Sequence, residues 1–270
     1  MRRKSGAEKT IGTRQARDAI SVTPHASRLT PHGLTVIAHR GARGHAPENT
    51  LKAFELAIKL GAPWLELDVQ LHRDLLWVFH DDRLERVTNG KGRLLEQTPD
   101  YLRSLDAGQG ERIPLLRDVI ERVRRRAKIN IELKTGNGTA AAVAGVLREQ
   151  LERGWAPEDF MVSSFHLPEL HEFKRRLPQV PLGVLLCGVP LDLAACASHL
   201  GAVALNIALD FADTGLVADA HRRGLKVYVY TVNEPDDLNR MKRLGVDGIF
   251  TDFPERALQR PAKKRARPHT

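Results

Sequence analysis

From Leu34 onward, short apolar runs rich in β-branched residues alternate with longer stretches whose apolar residues recur every three or four positions. This alternation predicts an α/β protein. The short runs predict strands over Leu34–His39, Trp64–Leu71, Leu75–His80, Ile129–Leu133, Phe160–Ser164, Val180–Leu186, Val203–Ile207, Lys226–Tyr230 and Gly248–Thr251. The longer stretches predict helices over Thr50–Leu60, Leu115–Arg126, Thr139–Arg153, Leu167–Leu177, Leu191–Leu200, Thr214–Arg223 and Pro235–Leu244.

The regular alternation of strands and helices also indicates how the strands pair. Each helix returns the chain to the same end of the sheet, so neighbouring strands run parallel. Leu75–His80 follows the second strand after a short turn, and we expect it to be a hairpin partner of that strand. The remaining eight strands predict a (β/α)8 TIM barrel. A doubly wound open sheet is the competing fold, but no G-x-G-x-x-G follows the first strand to indicate a dinucleotide site.

Residues 81–113 interrupt this alternation. Thr88–Gly92 reads Thr-Asn-Gly-Lys-Gly, which is turn sequence, and Thr98–Leu105 predicts a short helix. A connection of this length inside a compact domain is usually functional or an inserted subdomain. We therefore predict one barrel domain over residues 34–259, with a small inserted cap at about 81–113, after the second strand and beside the barrel mouth.

The net charge of +9 lies in the two ends of the chain. Residues 1–33 and residues 260–270 each carry a net charge of +5, which leaves the region between them near −1. Runs of like charge at chain ends are typically disordered and solvated. We expect two basic tails and no nucleic-acid partner, because neither tail contains an aromatic residue for base stacking.

Composition also bears on the compartment. No apolar run approaches the roughly 20 residues that span a bilayer, and no apolar segment follows Met1–Lys4 as it would in a secretory signal. The two cysteines, Cys187 and Cys196, match neither a metal-binding spacing nor a disulfide framework. We therefore expect no transmembrane segment and a cytoplasmic protein, with Cys187 as a small core residue after its apolar run.

His39 and Arg40 end the first predicted strand, and a loop containing Pro47 leads from them to a helix start. The carboxyl ends of strands are where α/β folds place their chemistry. A histidine titrates near neutral pH, and an arginine supplies a permanent cation. The alternative is a hydrogen-bonded core histidine beside a solvated arginine, and the residues around them fit either interpretation.

The second strand contains two acids on one face. Glu66 and Asp68 are two positions apart, so their side chains point to the same side of the strand, while apolar neighbours point to the other. An unpaired buried carboxylate is costly, and a hard divalent cation is the simplest compensation for two neighbouring acids. The alternative is an exposed edge strand with a solvated acidic face, which the apolar flanks make less favourable.

The next barrel strand repeats this pattern. Asn130, Glu132 and Lys134 share one face, and parallel pairing would bring Glu132 beside Glu66 and Asp68. Three carboxylates without a cysteine suit Mg²⁺, Ca²⁺ or Mn²⁺ better than Zn²⁺. Lys134 either neutralises one of these acids or contacts a phosphate, and we favour the phosphate because Arg40 would converge on the same mouth.

A second histidine, His80, ends the hairpin strand. With two histidines at strand ends, one can take a proton from an attacking oxygen and the other can give a proton to a leaving oxygen. A metal ion and fixed cations can stabilise charge on a phosphoryl group. The set predicts hydrolytic chemistry on a phosphate ester.

These residues, together with further short motifs, resemble the glycerophosphodiester phosphodiesterase family. The resemblance covers about residues 34–258, in the order and approximate spacing of the family. The fold of the family is a barrel with a cap inserted after the second strand, which agrees with the prediction for residues 81–113. The matching segments are His39–Gly41, Pro47–Thr50, Glu66–Val69, His80–Asp81, Thr88–Gly92, Ile113–Pro114, Ile131–Lys134, Thr231–Pro235 and Asp247–Pro254.

The resemblance implies a role for each candidate residue and one divalent cation, Mg²⁺ or Ca²⁺, with Mn²⁺ also acceptable. The implied site comprises the metal ligands Glu66, Asp68 and Glu132, the acid–base pair His39 and His80, and the phosphate-binding residues Arg40 and Lys134.

Two other positions carry implied roles with alternatives. Glu48, in the Pro-Glu-Asn loop, would orient a histidine or contact the metal; otherwise it complements a helix dipole, with Asn49 as the N-cap. Tyr230 stands where the family usually has tryptophan, so an aromatic wall remains beside the glycerol moiety with a different shape.

The implied activity is hydrolysis of a small glycerophosphodiester to sn-glycerol 3-phosphate and an alcohol, with water or the glycerol 2-hydroxyl as the attacking oxygen. A first alternative is the same chemistry on a lysophospholipid, which would need an apolar wall near Leu75 or in the cap. A second alternative is a barrel that only binds phosphodiesters, against which the complete set of histidines and acids argues.

Overall fold

The computed structural model describes residues 33–134 and 136–258. Both predicted basic tails therefore lie outside the described residues, apart from Gly33. The described strands are β1 (Thr35–Ala38), β2 (Trp64–His72), β3 (Leu75–Val78), β4 (Lys128–Leu133), β5 (Phe160–Ser164), β6 (Leu182–Leu186), β7 (Ala204–Ala208), β8 (Lys226–Tyr230) and β9 (Gly248–Thr251). The described α-helices are α1 (Leu51–Lys59), α2 (Pro99–Ser104), α3 (Leu116–Val123), α4 (Thr139–Glu152), α5 (Leu167–Arg176), α6 (Ala195–His199), α7 (Thr214–Arg222), α8 (Pro235–Leu244) and α9 (Pro254–Ala257).

Across the described residues, eight parallel strands close into a barrel in the order β1, β2, β4, β5, β6, β7, β8, β9. Closure occurs at β1, where Ala38 lies opposite Leu65 of β2 and opposite Thr251 of β9. The strand β3 lies outside the barrel, antiparallel to β2. The predicted (β/α)8 TIM barrel and the predicted hairpin are both confirmed.

The alternation of residues in β2 explains how the strand fits this barrel. Leu65, Leu67 and Val69 belong to the apolar core that the strands share with the surrounding helices. Glu66 and Asp68 fall on the opposite face, which is the barrel interior. Both acids are nevertheless buried, so the interior of the barrel carries charge where an ordinary core would be apolar.

The helices follow their sequence patterns closely. In α3 the buried residues Leu116, Val119, Ile120 and Val123 form one stripe at three- and four-residue spacing. The helix predicted over Leu191–Leu200 is wrong at its start, because α6 begins only at Ala195. A left-handed φ of 53° at Leu193 interrupts the helical path.

The inserted segment, residues 81–113, has a small apolar core of its own. This core also includes residues of β3, and Phe79, Leu94 and Leu102 are among its buried side chains. The predicted short helix is confirmed as α2, whose first turn is capped by Thr98. A groove of about 560 Å³ is lined by residues of this segment and of the loop after β1, among them Arg86 and Glu48.

Two further observations complete the fold. The expectation that Cys187 lies in the core is wrong, because its side chain is exposed just beyond β6. Among the described residues, every helix is too short or too polar to cross a bilayer.

Candidate active site

Three carboxylates meet inside the barrel at its carboxyl-terminal end. Asp68 of β2 lies opposite Glu132 of β4 in the strand register, and Glu66 is two residues earlier on the same face. One oxygen of each carboxylate lies within 4.8 Å of the others. The parallel pairing of the two strands thus brings together the acids that the sequence singled out.

The acid cluster concentrates negative charge in buried surroundings, and its three carboxylates could hold a metal ion. Burial and the charges of Asp68 and Glu132 raise the pKa of Glu66 well above its usual range. Burial and the charge of Asp68 likewise raise the pKa of Glu132 to about 7. Glu66 Oε1 and Asp68 Oδ1 are buried and have no hydrogen-bond partner among the described residues. Oxygen ligands of this kind fit a hard divalent cation, which would relieve the repulsion between the acids.

Two basic side chains border the acid cluster. The backbone N–H of Arg40 donates to Glu66 Oε2 at 2.9 Å, and Arg40 Nε lies 3.2 Å from Asp68 Oδ2. Lys134 Nζ donates to Glu132 Oε1 at 2.7 Å. Burial opposes ionisation of Asp68, but the charges of Arg40 and Lys134 outweigh it and lower the pKa of Asp68. Both cations therefore stand at the same mouth, and Lys134 also makes the acid-neutralising contact considered as its alternative role.

His39 lies directly after β1 and is held by a carboxylate from the opposite end of the chain. Its Nδ1 lies 2.8 Å from Asp252 Oδ1. Asn233 fixes this carboxylate in turn, because Asn233 Nδ2 donates to Asp252 Oδ2 at 2.8 Å. Burial lowers the pKa of His39, although the hydrogen bond to Asp252 opposes the shift. The lowered pKa favours the neutral imidazole, and Nδ1 is the ring nitrogen that Asp252 engages.

His80 follows β3 and has a comparable arrangement. Its Nδ1 lies 2.5 Å from Asp81 Oδ1 on the next residue. Burial lowers the pKa of His80, and the charge of Asp68 opposes that shift. Both imidazoles are therefore oriented through Nδ1 by a carboxylate, an arrangement that leaves Nε2 available for proton transfer.

Glu48 connects the first loop with the inserted segment. Arg40 Nη1 donates to Glu48 Oε1 at 2.7 Å, and Arg86 makes two further hydrogen bonds to the same carboxylate. Burial opposes ionisation of Glu48, but the hydrogen bond from Arg86 and the charge of Arg40 lower its pKa to about 2. These contacts make Glu48 an ion-pair partner of Arg40, and the roles that the resemblance implied for Glu48 stay predictions.

A cavity of about 160 Å³ joins these groups. Aromatic side chains form one of its sides: Tyr230 packs edge-on against Phe165 and Phe250. The Tyr230 hydroxyl donates to the backbone oxygen of Leu186 at 2.8 Å, so the ring is held in place. The cavity is lined by His39, Arg40, Glu66, His80, Asn130, Glu132, Lys134, Phe165, Leu185, Tyr230, Thr231 and Phe250.

The N-cap role considered for Asn49 is wrong, and Asp81 and Asp252 had no assigned role from the sequence alone. The N-cap of α1 is Thr50, whereas Asn49 has a left-handed φ of 57° and its Nδ2 donates to Asp68 Oδ2 at 2.9 Å. Asp81 could have been found as the immediate neighbour of His80. Asp252 required the barrel register, because only the closure of β9 onto β1 places it beside His39.

Comparison with known proteins identifies the family. The model of the Glycerophosphoryl diester phosphodiesterase family matches residues 39–256. The chain belongs to this family. The match spans every candidate residue, from His39 to Tyr230, and the resemblance seen in the sequence is confirmed.

Relatives of this phosphodiesterase-family chain are similar over nearly their whole length. A glycerophosphodiester phosphodiesterase from Bacillus altitudinis is 37% identical over 236 residues, which are 83% of this chain and 96% of the relative. A glycerophosphodiester phosphodiesterase from Caldanaerobacter subterraneus subsp. tengcongensis is 36% identical over 82% of this chain and 94% of its own.

A solved structure shows the same architecture. The chain superimposes with a TM-score of 0.76 on a phosphodiesterase from Oleispira antarctica in complex with the product sn-glycerol-3-phosphate. The two sequences are 33% identical, and the match covers 83% of this chain and 94% of that structure. The family model and the superposition therefore agree on the barrel and on its family.

Proposed function

We propose that this chain hydrolyses glycerophosphodiesters to sn-glycerol 3-phosphate and an alcohol. The observation that carries the proposal is a cavity lined by two imidazoles, two cations and two acids of the three-carboxylate cluster, Glu66 and Glu132. Such a cavity offers groups for proton transfer and groups that stabilise phosphoryl charge within one small volume. The names of the two bacterial relatives and the product in the Oleispira structure support the same substrate class.

In this proposal Glu66, Asp68 and Glu132 hold one divalent cation, Mg²⁺ or Ca²⁺, with Mn²⁺ as a further candidate. When bound, the cation supplies Lewis acidity toward a phosphoryl oxygen. Arg40 and Lys134 lie at the sides of the same cavity and stabilise the negative charge of the phosphate. The low-dielectric surroundings strengthen this electrostatic attraction.

The two histidines act as the general base and the general acid of the reaction. One imidazole accepts the proton of the attacking oxygen at Nε2, and the other donates a proton to the departing alkoxide. Asp252 and Asp81 each hold one ring through Nδ1, so neither ring must be reoriented during the reaction. Glu48 acts through Arg40, which it holds at 2.7 Å.

We also propose a role for Tyr230, the bounds of the catalytic domain and the location of the protein. Tyr230 faces the glycerol moiety with its ring, because its hydroxyl is engaged by the backbone. We assign residues 34–259 to one catalytic domain and residues 81–113 to a cap on it. A cytoplasmic location is supported by Cys187 and Cys196, which are both free.

The test is release of glycerol phosphate from glycerophosphocholine by the full-length protein. We expect sn-glycerol 3-phosphate and choline in equal amounts, loss of release after treatment with EDTA, and recovery when Mg²⁺, Ca²⁺ or Mn²⁺ is added back. A barrel that only binds phosphodiesters would release no product under any of these conditions, and that result would contradict the proposal.

A lysophospholipid is the second candidate substrate, favoured by apolar side chains at the barrel mouth. Phe165 lines the cavity and is 44% exposed, and Leu191, in the loop after β6, is fully exposed. Leu75, near which or in the cap this substrate would need an apolar wall, packs against the apolar core of the inserted segment. Turnover of lysophosphatidylcholine above that of glycerophosphocholine, with a loss in Phe165→Ser, would favour the second substrate. The reverse preference would exclude it.

A further inference from the structure

An arginine of the inserted segment bridges two carboxylates of the site. Arg86 Nε lies 2.5 Å from Asp81 Oδ2, and Arg86 Nη2 lies 3.0 Å from Asp81 Oδ1. The same guanidinium donates to both oxygens of Glu48, at 2.9 Å from Nη1 and 2.6 Å from Nη2. One side chain thus makes two two-point contacts with carboxylates that are 33 positions apart in the sequence.

Each of these carboxylates holds a different group of the cavity. Asp81 Oδ1 also lies 2.5 Å from His80 Nδ1, and Glu48 Oε1 also accepts from Arg40 Nη1 at 2.7 Å. Arg86 itself is absent from the residues lining the cavity within the described chain. Its described contacts therefore connect to the cavity through Asp81 to His80 and through Glu48 to Arg40.

The chemistry of the contact requires an arginine. The planar guanidinium presents five N–H donors in a fixed fork, which can satisfy two carboxylates at once, whereas an ammonium is a single point of charge. The Arg86 side chain is 47% exposed. An exposed ion pair contributes little to folding stability, so the geometry of Arg86 is better explained by orientation of its partners.

We propose that Arg86 is a positioning residue that fixes His80 through Asp81 and Arg40 through Glu48. It couples the inserted segment to both the proton-transfer group and the phosphate-binding group of the site. This inference rests on the proposed phosphodiesterase activity. Its consequence is that the cap contributes to turnover without touching the substrate.

The experiment compares Arg86→Ala, Arg86→Lys and the control Arg83→Ala with the wild-type protein on glycerophosphocholine. Arg83 belongs to the same segment, but its ion pair is with the exposed Glu85. We expect kcat to fall by about 10- to 100-fold in Arg86→Ala, because small misplacements of catalytic groups cost up to about 10²-fold. We expect Arg86→Lys to recover only part of that loss and Arg83→Ala to match the wild type.

Added guanidinium chloride at non-denaturing concentration distinguishes positioning from mere structure. We expect it to restore part of the kcat of Arg86→Ala and none of the kcat of His80→Ala, which lacks the imidazole itself. An Arg86→Ala variant with wild-type kcat would overturn the inference, as would a loss that follows a lowered melting temperature and resists guanidinium. An inactive wild-type protein would instead overturn the proposed function, so the two failures are distinguishable.

Discussion

At the scale of single residues, each imidazole of the site depends on a carboxylate that the sequence places very differently. Asp81 is the next residue after His80, whereas Asp252 is 213 positions from His39. Both carboxylates engage Nδ1, which fixes the ring and its tautomer, and we propose that Nε2 faces the substrate. The two histidines are therefore equivalent in orientation, although different elements supply their partners.

Replacement of either histidine should abolish most turnover. We expect His39→Ala and His80→Ala each to lower kcat on glycerophosphocholine by about 10²- to 10⁴-fold, the usual contribution of a general acid or base. Circular dichroism and melting temperature should remain close to wild type, because both side chains border the cavity. His45→Ala serves as the control, since His45 is partly exposed beside Glu255. Near-normal kcat in either site variant would contradict the assignment.

The pKa of His39 gives a pH prediction. Burial lowers this pKa, and the hydrogen bond and charge of Asp252 raise it. Asp252→Asn removes the charge, so the pKa of His39 should fall further. One limb of the plot of kcat/KM against pH reports the ionisation of His39. This limb should move to lower pH, whether His39 acts as the general acid or as the general base.

The matched control for this profile is Asp247→Asn, because Asp247 pairs with the surface residue His221. We expect the profile of that variant to match the wild type. A profile of Asp252→Asn that stays in place, or that moves to higher pH, would show that Asp252 does not set the pKa of His39.

At the scale of elements, the sequence pattern was sufficient for most of the barrel. The alternation in β2 indicated which face would carry Glu66 and Asp68, since the period of a strand is fixed at two. The stripe of buried apolar residues in α3 and the short helix α2 were likewise predictable from the sequence. These elements are determined by local periodicity and capping, which a single sequence records directly.

The errors have specific physical causes. The helix at Leu191–Leu200 had an apolar pattern, but a left-handed residue at Leu193 delays its start to Ala195. Cys187 follows an apolar strand, yet the strand ends at Leu186 and the next residue is exposed. The composition of a short segment does not specify the residue at which a strand ends and the chain becomes exposed.

The unassigned site residues depended on contacts between distant segments. Asn49 reaches Asp68 only because its left-handed backbone turns the side chain toward the barrel. Arg86 reaches Glu48 only because the inserted segment folds back over the first loop. Such contacts need the three-dimensional path of the chain, which neither spacing nor periodicity specifies.

The start of α1 offers a stability test. Thr50 Oγ1 accepts from the N–H of Ala53 at 3.2 Å and donates to the backbone oxygen of Pro47 at 2.6 Å. Loss of an N-cap hydroxyl costs about 0.5–2 kcal/mol. We expect Thr50→Ala to lower the free energy of unfolding in urea by that amount and Thr50→Ser to retain most of it. Equal stability of Thr50→Ala and wild type would contradict this account of the cap.

At the scale of the whole molecule, barrel closure concentrates like charges in one small region. The acid cluster draws on two neighbouring strands, and Arg40 and Lys134 offset its charge only in part, because Glu66 and Glu132 keep raised pKa values. The fold therefore holds buried acids that a bound cation would neutralise. Stability and cation binding should be linked.

Divalent cations should raise the melting temperature of the metal-stripped protein. A ligand that binds only the folded state stabilises it by about 2.7 kcal/mol at 100 times its Kd. By differential scanning calorimetry, we expect the melting temperature of the wild-type protein to rise when the cation is added. The rise should be much smaller in Glu132→Gln. The control Glu85→Gln, in the inserted segment, should respond like the wild type. An increase of the same size in Glu132→Gln would show that the stabilising ion binds elsewhere.

The most direct measurement is a calorimetric titration of the metal-stripped protein with Mg²⁺, Ca²⁺ and Mn²⁺, in parallel with Asp68→Asn. The proposed cation site predicts one ion per chain for at least one of these cations and a marked loss of affinity in Asp68→Asn, because that variant removes the carboxylate that lies opposite Glu132 in the strand register. Absence of binding by the wild-type protein, or equal binding by Asp68→Asn, would contradict it.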